Sequence, residues 1–256
     1  MPMTAKEVVL VARKGWSADS IYHVLATRYR VHVIFEQPPS LWKLLQWRIR
    51  RSGFITVGGQ FLFRLFEVVF LLGGSARRRR EILSWHGPHG SIPSTMAATT
   101  PSVNSKDCLD RIKTLSPAVV VINGTRILTR HTLDAIKVPV INVHAGITPR
   151  YRGVHGAYWA LVNNDRENCG VTVHLVDEGV DTGGILKQAL IHPGPKDNFA
   201  TYPYLQLAAA LSPLCEAVQE CMDGKTRVLA GPPGSHRWFH PTLWDYLHNR
   251  IRKGVR

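Results

Sequence analysis

Two hydrophobic rhythms alternate along this chain. Short, nearly unbroken apolar runs at residues 7–13, 31–35, 118–123, 138–143, 171–176 and 185–191 have the length and β-branched content of strands. Between several of them, apolar residues recur at helical spacing over residues 18–29, 105–114, 128–136 and 157–163. Strands and helices in alternation predict a mainly parallel α/β sheet, and continuous apolar strands such as AVVVIN at 118–123 suit a sheet covered on both faces. Residues 37–95 interrupt the rhythm. Gln37-Pro38-Pro39 ends the second strand, and a basic helical stretch follows at 41–51. Then come a break at Gly58-Gly59, an apolar stretch at 61–72, Gly73-Gly74 and the run Arg77–Arg80, which together read as an inserted helical region. Residues 87–101, rich in Gly, Pro, Ser and Thr, read as a loop. A helical tail over 200–223, interrupted near Pro213, leads into a mixed aromatic and basic end at 238–256. The expected organisation is one domain over 1–195, carrying the 37–95 insertion, and a helical, basic extension over 196–256.

The 256 residues suit one α/β domain with a short appendage and suffice for a sizeable core. With 45% hydrophobic and 20% charged residues the chain reads as globular, which excludes disordered, collagenous and coiled-coil classes. Lys and Arg number 32 against 18 Asp and Glu, a net charge of +14. That excess points to an anionic partner: nucleic acid, a phosphorylated or polycarboxylate small molecule, or an acidic membrane face. The cysteines, Cys108, Cys169, Cys215 and Cys221, have no CxxC spacing and read as reduced thiols of a cytosolic protein. The opening residues MPMTAKEVVLVARKGW carry too short an apolar run for a signal peptide. The most membrane-like segment, 61–72, contains Arg64 and Glu67 and falls short of the ~20 residues of a span, so an integral membrane protein is not expected.

Candidate chemistry gathers between residues 117 and 188. Asn142 and His144 stand two apart at the end of an apolar strand, so their side chains project to the same side. Ligands of open α/β sheets bind beyond the carboxyl ends of the strands. The strand at 171–176 is followed by a loop whose Gly179, Gly183 and Gly184 let it bend back and bring Asp181 toward His144. Amide, imidazole and carboxylate together can supply an oxyanion donor, an acid or base, and an orienting or relaying group. On spacing alone, a strand-end histidine with satisfied hydrogen bonds and an aspartate that closes a turn compete with that reading.

The string VPVINVHAGITPRYRG, followed by GVTVHLVDEGVDTGGIL, resembles the formyltransferase domain that uses 10-formyltetrahydrofolate. That family includes glycinamide-ribonucleotide, methionyl-tRNA and sugar N-formyltransferases. Its hallmark is Asn-x-His at a strand end, a YRG-like turn, and a GxTxH strand leading to an Asp-bearing loop. The likeness is strong over 117–191 and weak over 1–36. It implies a Rossmann-like formyltransferase fold and transfer of formyl from folate N10 to a primary amine. By resemblance, Asn142 and His144 donate to the developing oxyanion, while Asp181 stabilises an imidazolium and helps move the amine proton. The resemblance also implies a folate pocket along 123–128 and 176–180. Arg126, Ile127 and Leu128 stand on one side and Val176, Asp177 and Val180 on the other, mostly through their backbone groups. His174 reads as structural and Arg152 as a packing residue. No metal is implied, and no metal-ligand cluster is visible in the sequence.

The acceptor is less sharply marked. The first strand ends in Arg13-Lys14-Gly15-Trp16, one glycine between cations where family members that hold a ribonucleotide phosphate carry a glycine-rich turn. Arg13 and Lys14 are candidate substrate contacts, as are His155 and Tyr158 in RGVHGAYWAL, whose Tyr158-Trp159 pair resembles the sugar enzymes. No GxGxxG is present, so a dinucleotide is not expected. Methionyl-tRNA enzymes carry a separate C-terminal barrel where a shorter helical stretch stands here. The expected acceptor is a nucleotide-linked amino sugar of polysaccharide biosynthesis, with glycinamide ribonucleotide and methionyl-tRNA as alternatives. The stretch 41–80 is open to three readings: a helical pair covering the sheet, a peripheral surface on anionic lipid, or a basic platform for RNA. The first is favoured and nucleic acid is least expected. A non-catalytic binding protein on the same fold is the rival from another class. A cytoplasmic location is expected, and the oligomeric state is open.

Overall fold

The computed structural model describes residues 6–86 and 90–256. The chain opens with β1 (Glu7–Ala12), α1 (Trp16–Ala26) and β2 (Arg30–Glu36). Three helices follow: α2 (Leu41–Ser52), α3 (Phe54–Phe66), which runs on as a π-helical segment over Glu67–Leu72, and α4 (Ala76–Ser84). Then come β3 (Ala97–Thr100), α5 (Lys106–Leu115), β4 (Val119–Asn123), α6 (Arg130–Ala135) and β5 (Val140–His144). The remainder is β6 (Arg152–Gly153), α7 (Gly156–Val162), β7 (Gly170–Leu175), β8 (Ile185–Leu190), α8 (Tyr202–Met222), β9 (Arg237–Trp238) and α9 (Leu243–Lys253).

Seven strands form one sheet in the order β3-β2-β1-β4-β5-β7-β8. Its first five strands are parallel, and β7 runs antiparallel to both β5 and β8. Successive strand side chains point to opposite faces, and β1 shows the consequence. Val8 and Leu10 join Ile21, Leu25, Leu211 and Leu214 in one core, while Val9 and Val11 join Ile112 and Leu128 in another. Helices therefore cover both faces of a mainly parallel sheet, the expected fold class. A third apolar cluster, with Phe63, Tyr158, Phe199 and Tyr246, packs α3, α7 and α9 against the start of α8.

Four expectations need correction. β3 lies within the segment read as a loop, of which residues 87–89 fall outside the described residues. It is only four residues, AATT, which pair with β2 at the sheet edge and carry little apolar signal. Gly58-Gly59 does not break a helix. α3 passes through it, and a Cβ at Gly59 would lie 2.2 Å from the Trp244 ring, so the glycine admits α9 at close range. The apolar stretch is longer than expected: Phe54–Leu72 is a 19-residue helical rod of mean hydropathy 1.7, long and apolar enough to cross a membrane by length and composition. Finally, residue 195 does not separate two packing units. α8 continues through Pro213 and buries Leu207, Leu211, Leu214 and Val218 against the sheet, and that burial outweighs the hydrogen bond proline removes.

Candidate active site

β5 ends beside β7, and their register sets Asn142 opposite His174. Residues opposite one another across a strand pair share a face. The buried His174 donates its Nδ1–H to the Leu175 carbonyl at 2.6 Å, which leaves Nε2 to accept the Asn142 amide at 3.2 Å. The amide is thereby oriented, and its second N–H has no partner among the described residues. Sequence reasoning missed this role for His174, because the antiparallel register that sets the pair cannot be read from a single strand.

His144 is buried two residues on, with its Nε2–H donating to the Tyr151 carbonyl at 2.8 Å. A Cβ at Gly146 would meet that carbonyl at 2.2 Å, so glycine permits the approach. The other nitrogen, Nδ1, lies 3.2 Å from Asp181 Oδ1. Both ring nitrogens thus face acceptors, an arrangement in which only the doubly protonated ring donates twice.

Asp181 adopts a left-handed φ of 54° at the tip of its loop, and its Oδ2 accepts the Gly153 N–H at 3.0 Å. The loop is fastened from within: Asp177 accepts from the Gly179 N–H at 3.0 Å and from the Thr182 hydroxyl at 2.7 Å. From outside, Arg152 donates to the Val180 carbonyl at 3.2 Å, which makes Arg152 a loop fastener more than a packing residue. Burial alone pushes the Asp181 carboxyl up. The His144 ring and the Gly153 N–H outweigh it and hold the group well below the usual carboxylate range.

Asn142, His144 and Asp181 meet at one cavity of about 300 Å³. Arg126, Ile127, Leu128, Val176, Asp177 and Val180 all line it, with Ile122, Val143 and Val154 adding apolar wall. The Arg126 side chain is committed elsewhere. Its guanidinium donates to the Pro101 carbonyl at 2.8 Å, the Gln37 carbonyl at 3.1 Å and the buried Glu36 carboxylate at 3.3 Å. Glu36 also accepts the backbone N–H groups of Arg126 and Val103. This buried carboxylate is a second residue sequence reasoning missed; it clamps the cavity wall to the end of β2. A mostly apolar slot with a few convergent polar groups suits a flat, hydrogen-bonding heterocycle such as the pterin of a folate.

The expected acceptor contacts separate. Arg13 and Lys14 are exposed at the end of β1, near Gly124 of the cavity wall. Tyr158 is buried in the third cluster, where its hydroxyl accepts from Asn249 at 3.0 Å. His155 packs between Phe199 and His240 at ring distances of 4.5 and 4.6 Å, and burial brings it down to about 3. Both are therefore packing residues, drawn inward by the aromatic cluster that α3 and α9 complete. The aromatic partner at the surface is Trp159, which lines a second cleft of about 440 Å³ with Arg51, Arg237 and Trp238. That cleft abuts the cavity through the β6–β9 ribbon, in which Gly153, the donor to Asp181, pairs with Trp238. Burial and the neighbouring Arg51 hold the Arg237 guanidinium below its usual value. Neither arginine is paired with a carboxylate among the described residues.

The fold and site define an α/β protein with a carboxylate–imidazole–amide centre at a strand end. Residues 82–203, just under half of this chain, match the family model described as formyl transferase. A methionyl-tRNA formyltransferase of Desulfotalea psychrophila is 33% identical over 129 residues, 50% of this chain and 40% of that protein. One from Thermodesulfovibrio yellowstonii is 41% identical over 95 residues, 36% of this chain and 30% of that protein. The matched part thus spans well under half the length of these curated relatives. A sugar N-formyltransferase from a Shewanella species superposes with a TM-score of 0.57 at 14% identity, over 91% of this chain and 76% of that one. Glycinamide ribonucleotide transformylase 1 from Symbiobacterium toebii gives 0.57 at 19% identity, over 90% and 96%.

Proposed function

We propose that the protein transfers a formyl group from 10-formyltetrahydrofolate to a primary amine. The observation that carries this is the convergence of Asn142, His144 and Asp181 on one cavity, walled by the 124–128 and 176–180 segments. When bound, the folate would supply the formyl carbon for attack by the amine nitrogen, with negative charge developing on the formyl oxygen before the bond to N10 breaks. The free N–H of Asn142 is held by His174 to face the oxygen where negative charge develops. His144, donating to Tyr151 and with Nδ1 3.2 Å from Asp181, sets its imidazole beside that charge. Asp181, kept ionised, orients the ring and relays the proton that the amine nitrogen releases, directly or through water, to N10 as that nitrogen leaves. No step calls for a metal.

The acceptor we propose is an amino sugar carrying phosphate, most simply nucleotide-linked. The second cleft supports this reading, with Arg51 and Arg237 for the phosphates and Trp159 and Trp238 for a ring, one ribbon away from Asp181. The named relatives divide between methionyl-tRNA, sugar and glycinamide-ribonucleotide acceptors, so the cleft carries the choice. The test offers the purified chain 10-formyltetrahydrofolate with nucleotide amino sugars, glycinamide ribonucleotide and methionyl-tRNA, and follows acceptor mass. Formylation of a nucleotide amino sugar is expected, with Arg237→Ala raising KM about tenfold or more, as loss of one charge-assisted contact implies. Formylation of methionyl-tRNA alone would overturn the acceptor assignment, and no formylation of any amine would overturn the activity.

A further inference from the structure

In the hairpin of α2 and α3, apolar residues occupy the outer face of α3 as well as its inner one. A surface helix ordinarily turns its apolar stripe to the core and its polar residues to water. On α3 and its continuation, Gln60 and Glu67 are buried beside Val57, Phe63 and Leu71. Gln60 donates to the His240 carbonyl at 2.7 Å and accepts from Arg48 at 2.6 Å, while Glu67 pairs with Arg64. Phe54, Ile55, Phe61, Leu62, Leu65 and Val69 are exposed instead, Phe61 at 70%. Helical spacing sets these six on the side opposite Gln60 and Glu67. α2 has no buried residue at all. A contiguous apolar surface of this size marks an interaction site.

Charge and composition identify the partner. Residues 37–86 hold nine Lys and Arg against two Glu, and both Glu are ion-paired within the segment. Trp42 and Trp47 are exposed on α2 among Lys43, Arg50 and Arg51. Tryptophan and cations beside an apolar face match the boundary between lipid headgroups and acyl chains. A second copy of this chain would set these cations against themselves, whereas an anionic bilayer offers acyl chains to one set of groups and phosphates to the other. The 19-residue rod is fastened along its length, Phe63 packing on Tyr246 at a ring distance of 4.7 Å and Gly59 abutting Trp244. A rod held this way, with Gln60 and Glu67 on its docked side, lies in the membrane plane and does not cross it.

We propose that the α2–α3 hairpin is a membrane-docking element that seats the protein on an anionic bilayer. The proposal stands independently of the formyl-transfer reading. The test sediments the full chain with phosphatidylcholine vesicles and with vesicles containing about 30% phosphatidylglycerol, enough to give an anionic surface. Binding is expected to the mixed vesicles and to fall sharply in about 0.5 M salt, where surface charge is screened. Phe61→Asp with Leu65→Asp should weaken it about tenfold or more. Lys43→Gln and Arg50→Gln should each weaken it about fivefold. Melting temperature and formyl transfer to a soluble acceptor should be unchanged in these variants, which separates this test from that of the activity. A chain that stays in the supernatant with both vesicle types would overturn the proposal. So would a solution dimer that Phe61→Asp and Leu65→Asp dissociate without any vesicle binding, which would give the face to a second copy.

Discussion

The cavity at the sheet end and the α2–α3 hairpin dispose of their polar groups in opposite ways. In the cavity, buried polar side chains are linked in series. Leu175 fixes His174, His174 fixes Asn142, and Tyr151 and Asp181 fix His144, leaving one amide N–H free to act. In the hairpin, Gln60 and Glu67 are turned into the protein beside Phe63, while Phe54 and Phe61 are turned into solvent. The first region obeys the usual rule of burial, with the second N–H of Asn142 as its exception. The second breaks the rule along a whole helix face, which a partner must explain. The two regions meet at the Arg51–Arg237 cleft, where Arg51 from α2 and Arg237 from β9 face the same space.

Removing the active groups should have the largest effect. Asn142→Ala is expected to lower kcat/KM for formyl transfer by about 10²–10³-fold, the cost of one donor to a developing oxyanion. His144→Ala and Asp181→Asn should do at least as much, with circular dichroism unchanged. A rate within about threefold of the parent in any of the three would remove that residue from the centre.

Two phenylalanines two residues apart sharpen the contrast between the regions. Phe63 is fully buried between Phe199 and Tyr246, and Phe63→Ala should cost about 3–5 kcal/mol of stability. Phe61→Ala should fall within about 0.5 kcal/mol in solution, as surface positions do. Chemical denaturation distinguishes them, and equal losses would mean that the outward face is covered in the isolated chain.

Acid should act on the aromatic cluster before it acts on Asp181. Burial brings His155 down to about 3 and His240 to about 4, so the unfolded chain binds protons that the folded chain refuses. Stability contributed by these neutral rings is full above the ordinary histidine value of about 6.5 and declines as pH falls toward 4. Asp181 has a depressed value, so its contribution is lost only below about pH 4, the ordinary carboxylate range. Thermal melts from about pH 7 to pH 4 should show a falling Tm that His155→Asn flattens, asparagine also tolerating the left-handed backbone at that position. A pH-independent Tm over that window would contradict the buried, neutral state of the two rings.

The sheet was legible because its strands are unbroken apolar runs whose alternate residues feed two cores, as Val8 to Val11 show. The convergence of Asn142, His144 and Asp181 was legible because two of them share a strand end and the third sits on a glycine-bearing loop. His174, Glu36 and Arg237 were not. Each acts across an inter-strand register or from a distant segment, and nothing local in the sequence marks that geometry. Tyr158 and His155 misled for the converse reason. An aromatic pair beside a catalytic motif looks like a ring platform until a distant helix, here α9 with Tyr246 and Asn249, closes over it. Gly58-Gly59 misled because glycine was read for flexibility where its use is the close approach of Trp244.

The most direct test of the central claim is isothermal titration of the purified chain with 5-formyltetrahydrofolate, a stable stand-in for the formyl donor. Saturable binding at one site per chain is predicted, weakened by bulky substitution at the cavity wall such as Val176→Trp and little changed by Phe61→Asp. Absence of binding by a chain whose melting shows it folded would contradict the assignment of the Asn142–His144–Asp181 cavity to a folate.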